Sequence, residues 1–297
     1  MEDKLSKDLY NLNKEYLELK NLYNAQKCRK LNKAIQLIKY GKIKYLIYTF
    51  LEKKQSKNNS INNLYDSDNK ETLSTIDGRV AVYMCIVGKY DKIFEPIYIS
   101  NKCDYYIVTD QEVDKNSIWK KIDINKYITG LKKNELNRYI KLHPHILFEN
   151  YKYSIYLDGN VRIMSDLIPM VERLGDKIIG VHMHSFRDCA YKEGKSFKYN
   201  SRLRNTYPLV KKQLDEYSKE GFPKSYGLFE NTIIIRKHLD KDCICLMDEW
   251  WKQLKKYSFR DQISLPYVVW KKNMRSLVHV YGILKENYRI RLYKHKV

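Results

Sequence analysis

Glycine and proline are scarce, 11 and 6 among 297 residues, which excludes a collagen-like, linker-like or broadly disordered chain. No unbroken apolar run approaches the length of a membrane span and the mean hydropathy is −0.61, so a soluble protein is expected. The opening Met1-Glu2-Asp3-Lys4 leads directly into a polar, periodic pattern. It lacks the apolar core and small-residue cleavage site of a signal peptide, so a cytoplasmic location is expected. The six cysteines, at 28, 85, 103, 189, 243 and 245, include no Cys-x-x-Cys pair and are too sparse for a disulfide framework. They read as reduced, mostly buried thiols, with no zinc finger. The length leaves room for one full-size domain and a smaller appendage.

The net charge of +21 comes largely from lysine, in a chain also rich in Asn, Ile and Tyr. An AT-rich genome imposes that composition whatever the function. A phosphorylated small substrate or an acidic membrane surface satisfies the same electrostatics as nucleic acid, and no DNA- or RNA-binding signature accompanies the charge. Nucleic acid is therefore not expected as a partner.

Three parts are expected. Residues 1–57 read as a helical arm. Leu5, Leu9, Leu12, Tyr16, Leu19 and Tyr23 recur in steps of four and three, a short heptad seam able to pair two copies of the chain. Arg29 to Lys57 then sets nine Lys and Arg against the single acid Glu52, interleaved with apolar and aromatic residues, as in a helix lying on an anionic membrane. On that reading the protein is peripheral on the inner face of the membrane. Residues 58–77 form a polar linker, and 78–297 the main domain.

In the main domain short apolar runs alternate with helical stretches. Arg79 to Val87, Tyr105 to Val108, Tyr153 to Leu157, Lys177 to Met183 and Thr232 to Ile235 predict buried strands. Lys132 to Asn150, Arg202 to Lys219 and Asp242 to Tyr257 predict helices. The alternation predicts an α/β fold, a mostly parallel sheet with helices on both faces and ligands bound beyond the carboxyl ends of the strands.

The first three strands end in Gly88-Lys89-Tyr90-Asp91, Thr109-Asp110 and Asp158-Gly159-Asn160. One Asp at a strand end is usually a turn or capping residue; three in succession place carboxylates around one mouth. Arg138, Lys141 and His145 follow one another at helical spacing, although Pro144 disfavours helical geometry at His143. Cations beside carboxylates suit a diphosphate and a divalent ion. His184, Arg187 and Asp188 crowd the end of the fourth strand and suggest substrate contacts. His182 and His184 have no matching pair elsewhere, so zinc is not expected.

In their order along Val80 to Trp270, these blocks resemble the TOD/MUCI-type glycosyltransferase-like domain: Gly88-Lys-Tyr-Asp91, Thr109-Asp110, Arg138-x-x-Lys141-x-x-Pro144-His145, Tyr153-Ser-Ile-Tyr-Leu-Asp158-Gly-Asn160, His184-x-x-Arg187-Asp188-Cys189 and Asp261-Gln262. The resemblance implies a GT-A-like fold and transfer of a sugar from a nucleotide-diphosphate donor to an acceptor hydroxyl, in cell-surface polysaccharide or glycan synthesis. It implies donor contacts from Asp91, Asp110, Arg138, Lys141, His145, Asp158 and Asn160. Substrate or acceptor contacts fall to His184, Arg187, Asp188, Asn231 and Gln262. Asp261 is the implied catalytic carboxylate, with Glu230 as its rival. GT-A enzymes hold Mn or Mg on an Asp-x-Asp segment; the segment here is Asp158-Gly159-Asn160, one charge poorer, with His279 as a further candidate ligand. The competing expectation is a binding or scaffold module whose metal motif has decayed.

Overall fold

The computed structural model describes residues 76–88, 90–123 and 130–295, together with positions 47 and 50. The heptad seam, the basic stretch and the linker lie outside the described residues, apart from positions 47, 50, 76 and 77. The strands are β1 (Val80–Ile86), β2 (Cys103–Thr109), β3 (Lys120–Lys121), β4 (Tyr153–Leu157), β5 (Val161–Ile163), β6 (Ile179–Met183), β7 (Phe229–Arg236), β8 (Val278–Ile283) and β9 (Ile290–Leu292). The helices are α1 (Lys133–Leu142), α2 (Pro144–Leu147), α3 (Ile168–Glu172), α4 (Ala190–Phe197), α5 (Tyr207–Lys219), α6 (Lys241–Lys256) and α7 (Asp261–Lys271).

Seven strands form one sheet in the order β3-β2-β1-β4-β7-β6-β8, while β5 and β9 pair as a separate antiparallel ribbon. Every pairing in the large sheet is parallel except those of β7, which runs against both neighbours. The expected mostly parallel α/β sheet is thus observed. β1 and β4 are buried along their whole length, because layers cover both faces. Tyr83, Cys85 and Tyr156 point into one core with Ile140, Trp250 and Leu265 of α1, α6 and α7. Val82, Met84, Ile155 and Leu157 point into the other, with Met170 and Val171 of α3 and the inner side of the ribbon.

Two departures from the expected elements matter for the site. The helix expected over 132–150 is broken at His143, whose φ of −118° and ψ of 52° leave the helical region immediately before Pro144 opens α2. Helices α3, α4 and α7 are additional. α4 is polar and contains Gly194, where a Cβ would fall 2.3 Å from Leu214 Cδ1 and 2.9 Å from Val210 Cγ1, so any larger residue would force those α5 side chains to move. α7 is buried on nearly all sides and carries Pro266, so it shows no amphipathic period.

Candidate functional site

The parallel strands bring their carboxyl ends to one rim, and β7, running the other way, brings its beginning there. A cavity of about 550 Å³ opens at that rim. Its wall consists of Cys85 to Gly88, Tyr90 and Asp91 at and after the end of β1, Asn137 and Arg138 of α1, Asp158 and Gly159 after β4, and Asn231 and Thr232 of β7. Phe259 to Gln262 at the start of α7 and His295 complete it. The turn after β4 fits because position 159 is glycine: a Cβ there would stand 2.8 Å from Ile86 Cγ1 and 3.2 Å from Asp91 Oδ2.

At the floor the Lys141 ammonium, 0% exposed, donates to Asp261 Oδ2 at 2.7 Å and lies 3.4 Å from Asp158 Oδ1. Arg138 adds a second cation 3.8 Å from the same Asp261 oxygen. Lys141 is fixed from behind, where its carbonyl accepts from the Tyr83 hydroxyl at 3.0 Å and from the buried Arg236 guanidinium at 2.8 Å. Burial alone would raise the Asp261 carboxyl, but Lys141 and Arg138 outweigh it and hold the group well below the usual carboxylate range. Asp261 is therefore a fixed anion. A general base needs a proton affinity matched to the working pH, so this environment suits Asp261 to stabilising positive charge more than to accepting a proton. Burial pushes the Cys85 thiol up to about 12, which removes it as a nucleophile.

Five of the expected residues line the cavity with Asp261: Asp91, Arg138, Asp158, Asn231 and Gln262. The amide of Asn231 is buried with neither its oxygen nor its nitrogen hydrogen-bonded, a polar group built into the wall without a partner in the protein. The other expected residues lie elsewhere. Lys141 is consumed by the two carboxylates rather than free to meet a phosphate. Asp110 accepts from the Gly88 N–H at 2.9 Å and so shapes the loop after β1 from outside the wall. His145, beyond the break at His143, packs near the His143 ring, and burial lowers its pKa. Asn160 donates from its amide to the Tyr293 carbonyl at 3.0 Å, away from the cavity.

The dense segment after β6 pairs chiefly within itself. His184 Nδ1 accepts the N–H groups of Phe186 and Arg187, Arg187 pairs with buried Glu193 at 2.6 Å, and Asp188 pairs with Lys192 at 3.2 Å. None of the three expected contacts reaches the cavity wall. Glu230 stands next to Asn231 but outside the wall; its Oε2 is buried without a partner, and burial raises its carboxyl. Among the Asp, Arg and His residues of the wall, Arg260 and His295 were not expected. Arg260, whose Nε is buried without a partner, directly precedes Asp261, where a cation beside an acid was a usable signal. His295 lies in the terminal Lys-His-Lys run, which carries no signal; its Nδ1 is 2.8 Å from Asp91 Oδ2.

The expected metal set is not assembled. Asn160 is turned to Tyr293, Asp158 is approached by Lys141, and His279 lies on β8 against Tyr281, outside the wall. Among the described residues no three His, Cys, Asp or Glu side chains are grouped to hold an ion. The arrangement does not fit a preformed divalent site; it offers guanidinium groups, fixed carboxylates and hydrogen-bonding amides around one volume.

The TOD1/MUCI70, glycosyltransferase-like domain matches residues 31–295, beginning upstream of Gly78. The chain is 22% identical over 237 residues to the probable hexosyltransferase MUCI70 of Arabidopsis thaliana, a match covering 69% of this chain and 39% of that protein. It therefore spans about two fifths of that relative. Among solved structures it overlays the ligand-free bifunctional glycosyltransferase WbbM at 12% identity and a TM-score of 0.41, covering 70% of this chain and 39% of that one. For ligand-free mouse xyloside xylosyltransferase 1 the values are 11% and 0.37, covering 69% and 85%.

Proposed function

Because the chain belongs to the TOD1/MUCI70 glycosyltransferase-like domain family, we propose that the rim cavity transfers a glycosyl group from a nucleotide-diphosphate sugar to an acceptor hydroxyl. One observation supports this above others: Arg138 and Arg260 share a single wall with Asp91, Asp158 and the unpartnered amide of Asn231. Guanidinium forks suit the departing diphosphate, whose charge must be neutralised for the glycosidic bond to break. Asn231 and Gln262 suit sugar hydroxyls. Asp261 keeps Lys141 and Arg138 in place as a permanent counter-charge. Mn or Mg has no ready ligand set here, so its contribution is secondary to that of the arginines.

The test is a thermal-shift series with nucleotide-diphosphate sugars, with and without Mn, followed by turnover of the binders. At least one donor should raise the melting temperature of the full chain, and Arg138→Gln with Arg260→Gln should abolish the rise. Absence of any shift and any turnover across the series would leave a scaffold module as the better reading. Pairing of chains through Leu5 to Tyr23 is a separate proposal, tested by light scattering after truncation at Gly78. Lipid contact by Arg29 to Lys57 is tested by vesicle binding of the same truncated chain.

A further inference from the structure

The outer face of the β5–β9 ribbon plays no part in the cavity. Val161, Ile163 and Ile290 are buried, so strand alternation turns Arg162 and Arg291 outward, and the two stand directly opposite each other in register. Like charges so placed destabilise an antiparallel pair. Both guanidiniums hydrogen-bond the Tyr293 side chain, a neutral group that leaves their charges uncompensated, and lower its pKa; no ion pair to a carboxylate is formed by either among the described residues. Arg162 donates to the Glu95 carbonyl at 2.9 Å, while the Glu95 carboxylate accepts from the Ser117 hydroxyl and the Ile118 N–H. Beside this pair the Ile97 N–H donates to the Ile163 carbonyl at 2.8 Å, which lays the segment after Glu95 along the ribbon. There Ile97, Tyr98 and Ile99 are 56%, 44% and 54% exposed, three successive apolar side chains in water. Tyr288, at the approach to β9, is 72% exposed beneath the Arg289 guanidinium.

We infer that this face seats the protein on an anionic lipid bilayer, with Arg162 and Arg291 at the headgroup phosphates and Ile97, Tyr98 and Ile99 at the acyl boundary. A bilayer answers both halves of the patch. A soluble polyanion would meet the guanidiniums and leave the isoleucines in water, whereas an apolar protein surface would bury the guanidiniums without counter-charge. Tyrosine beside arginine is also the pairing favoured where headgroups meet hydrocarbon. The inference is independent of the transfer reading. Together they place an acceptor at the membrane, because the chain leaving β9 is bonded through Tyr293 to Asn160 and reaches the cavity wall at His295.

The test uses the full chain, so that the basic stretch Arg29 to Lys57 is common to every sample. Wild type is sedimented with phosphatidylcholine vesicles with and without phosphatidylserine, beside the variants Arg162→Gln/Arg291→Gln and Ile97→Ser/Ile99→Ser. Each cation near an anionic bilayer is worth about a fivefold change in partition. The double arginine variant should therefore lose about 25-fold on phosphatidylserine vesicles, and the isoleucine variant should lose binding too. Both should keep the wild-type melting temperature. As a local readout, Ile97→Trp fluorescence should shift to the blue on adding those vesicles and stay unchanged with heparin. Equal sedimentation of wild type and both variants, or a tryptophan that responds to heparin and not to vesicles, would overturn the inference.

Discussion

The segment after β6 and the rim of β1 and β4 both gather acids and bases, yet they differ in how those charges are satisfied. From His184 to Glu193 the charged groups come from one stretch of chain and pair chiefly with one another: Arg187 with Glu193, Asp188 with Lys192, His184 with two backbone N–H groups. At the rim they come from positions more than a hundred residues apart and leave polar atoms over, in Arg260 and Asn231. Local density of polar residues marks a loop that needs internal support. Unpartnered polar atoms that also line an open cavity mark a place for a ligand.

The largest effect that would sharpen this contrast is acid sensitivity. Burial holds His143 and His238 down to about 4 and His182 and His184 down to about 3, each below the ordinary value of 6.5. The unfolded chain then binds more protons between these values, so stability is full above about pH 6.5 and falls as the pH drops toward 4. At one pH unit per about 1.4 kcal/mol for each histidine, the four together should unfold the domain near pH 5, seen as a collapse of the melting temperature. A midpoint unchanged from pH 7 to 4.5 would show these rings to be solvated.

Next in size is Arg187→Ala, which strands Glu193 in the interior and should cost about 3–5 kcal/mol in urea unfolding. The folded fraction should bind donor as wild type does. Were donor binding lost with stability intact, the segment after β6 would belong to the site after all. Asp158→Asn should do the reverse: transfer falls at least 100-fold while stability changes by about 1 kcal/mol or less, because Asp158 is partly exposed and Lys141 keeps Asp261. Smallest is the response to metal. Mn or Mg should change transfer only a few-fold, since the arginines carry the diphosphate charge; complete loss of turnover with chelator would show that donor binding assembles an ion site.

Much of the fold was readable. β1 and β4 were legible because a strand buried on both faces is an unbroken apolar run. β3, two exposed lysines, and the three-residue strands β5 and β9 carry no such pattern. α7 was hidden by being apolar all round with a proline inside. For the site, strand-end position revealed Asp91 and Asp158, and helical spacing revealed Arg138. What spacing could not reveal was occupancy: only coordinates show that Lys141 is spent on Asp261 and Asp158 and that Asn160 faces Tyr293. His295 was beyond any local reading, because what brings it to Asp91 is the pairing of β9 with β5 followed by the bonds between Tyr293 and Asn160.

The reversed strand β7 has a mechanical meaning. It is the seam between the parallel block β3-β2-β1-β4 and the parallel pair β6-β8. A molecule held between Asp158 on one bank and Asn231 on the seam bridges that join like a rivet. Occupancy should therefore show as slower proteolytic nicking of β7 and its flanks, even where no product is formed.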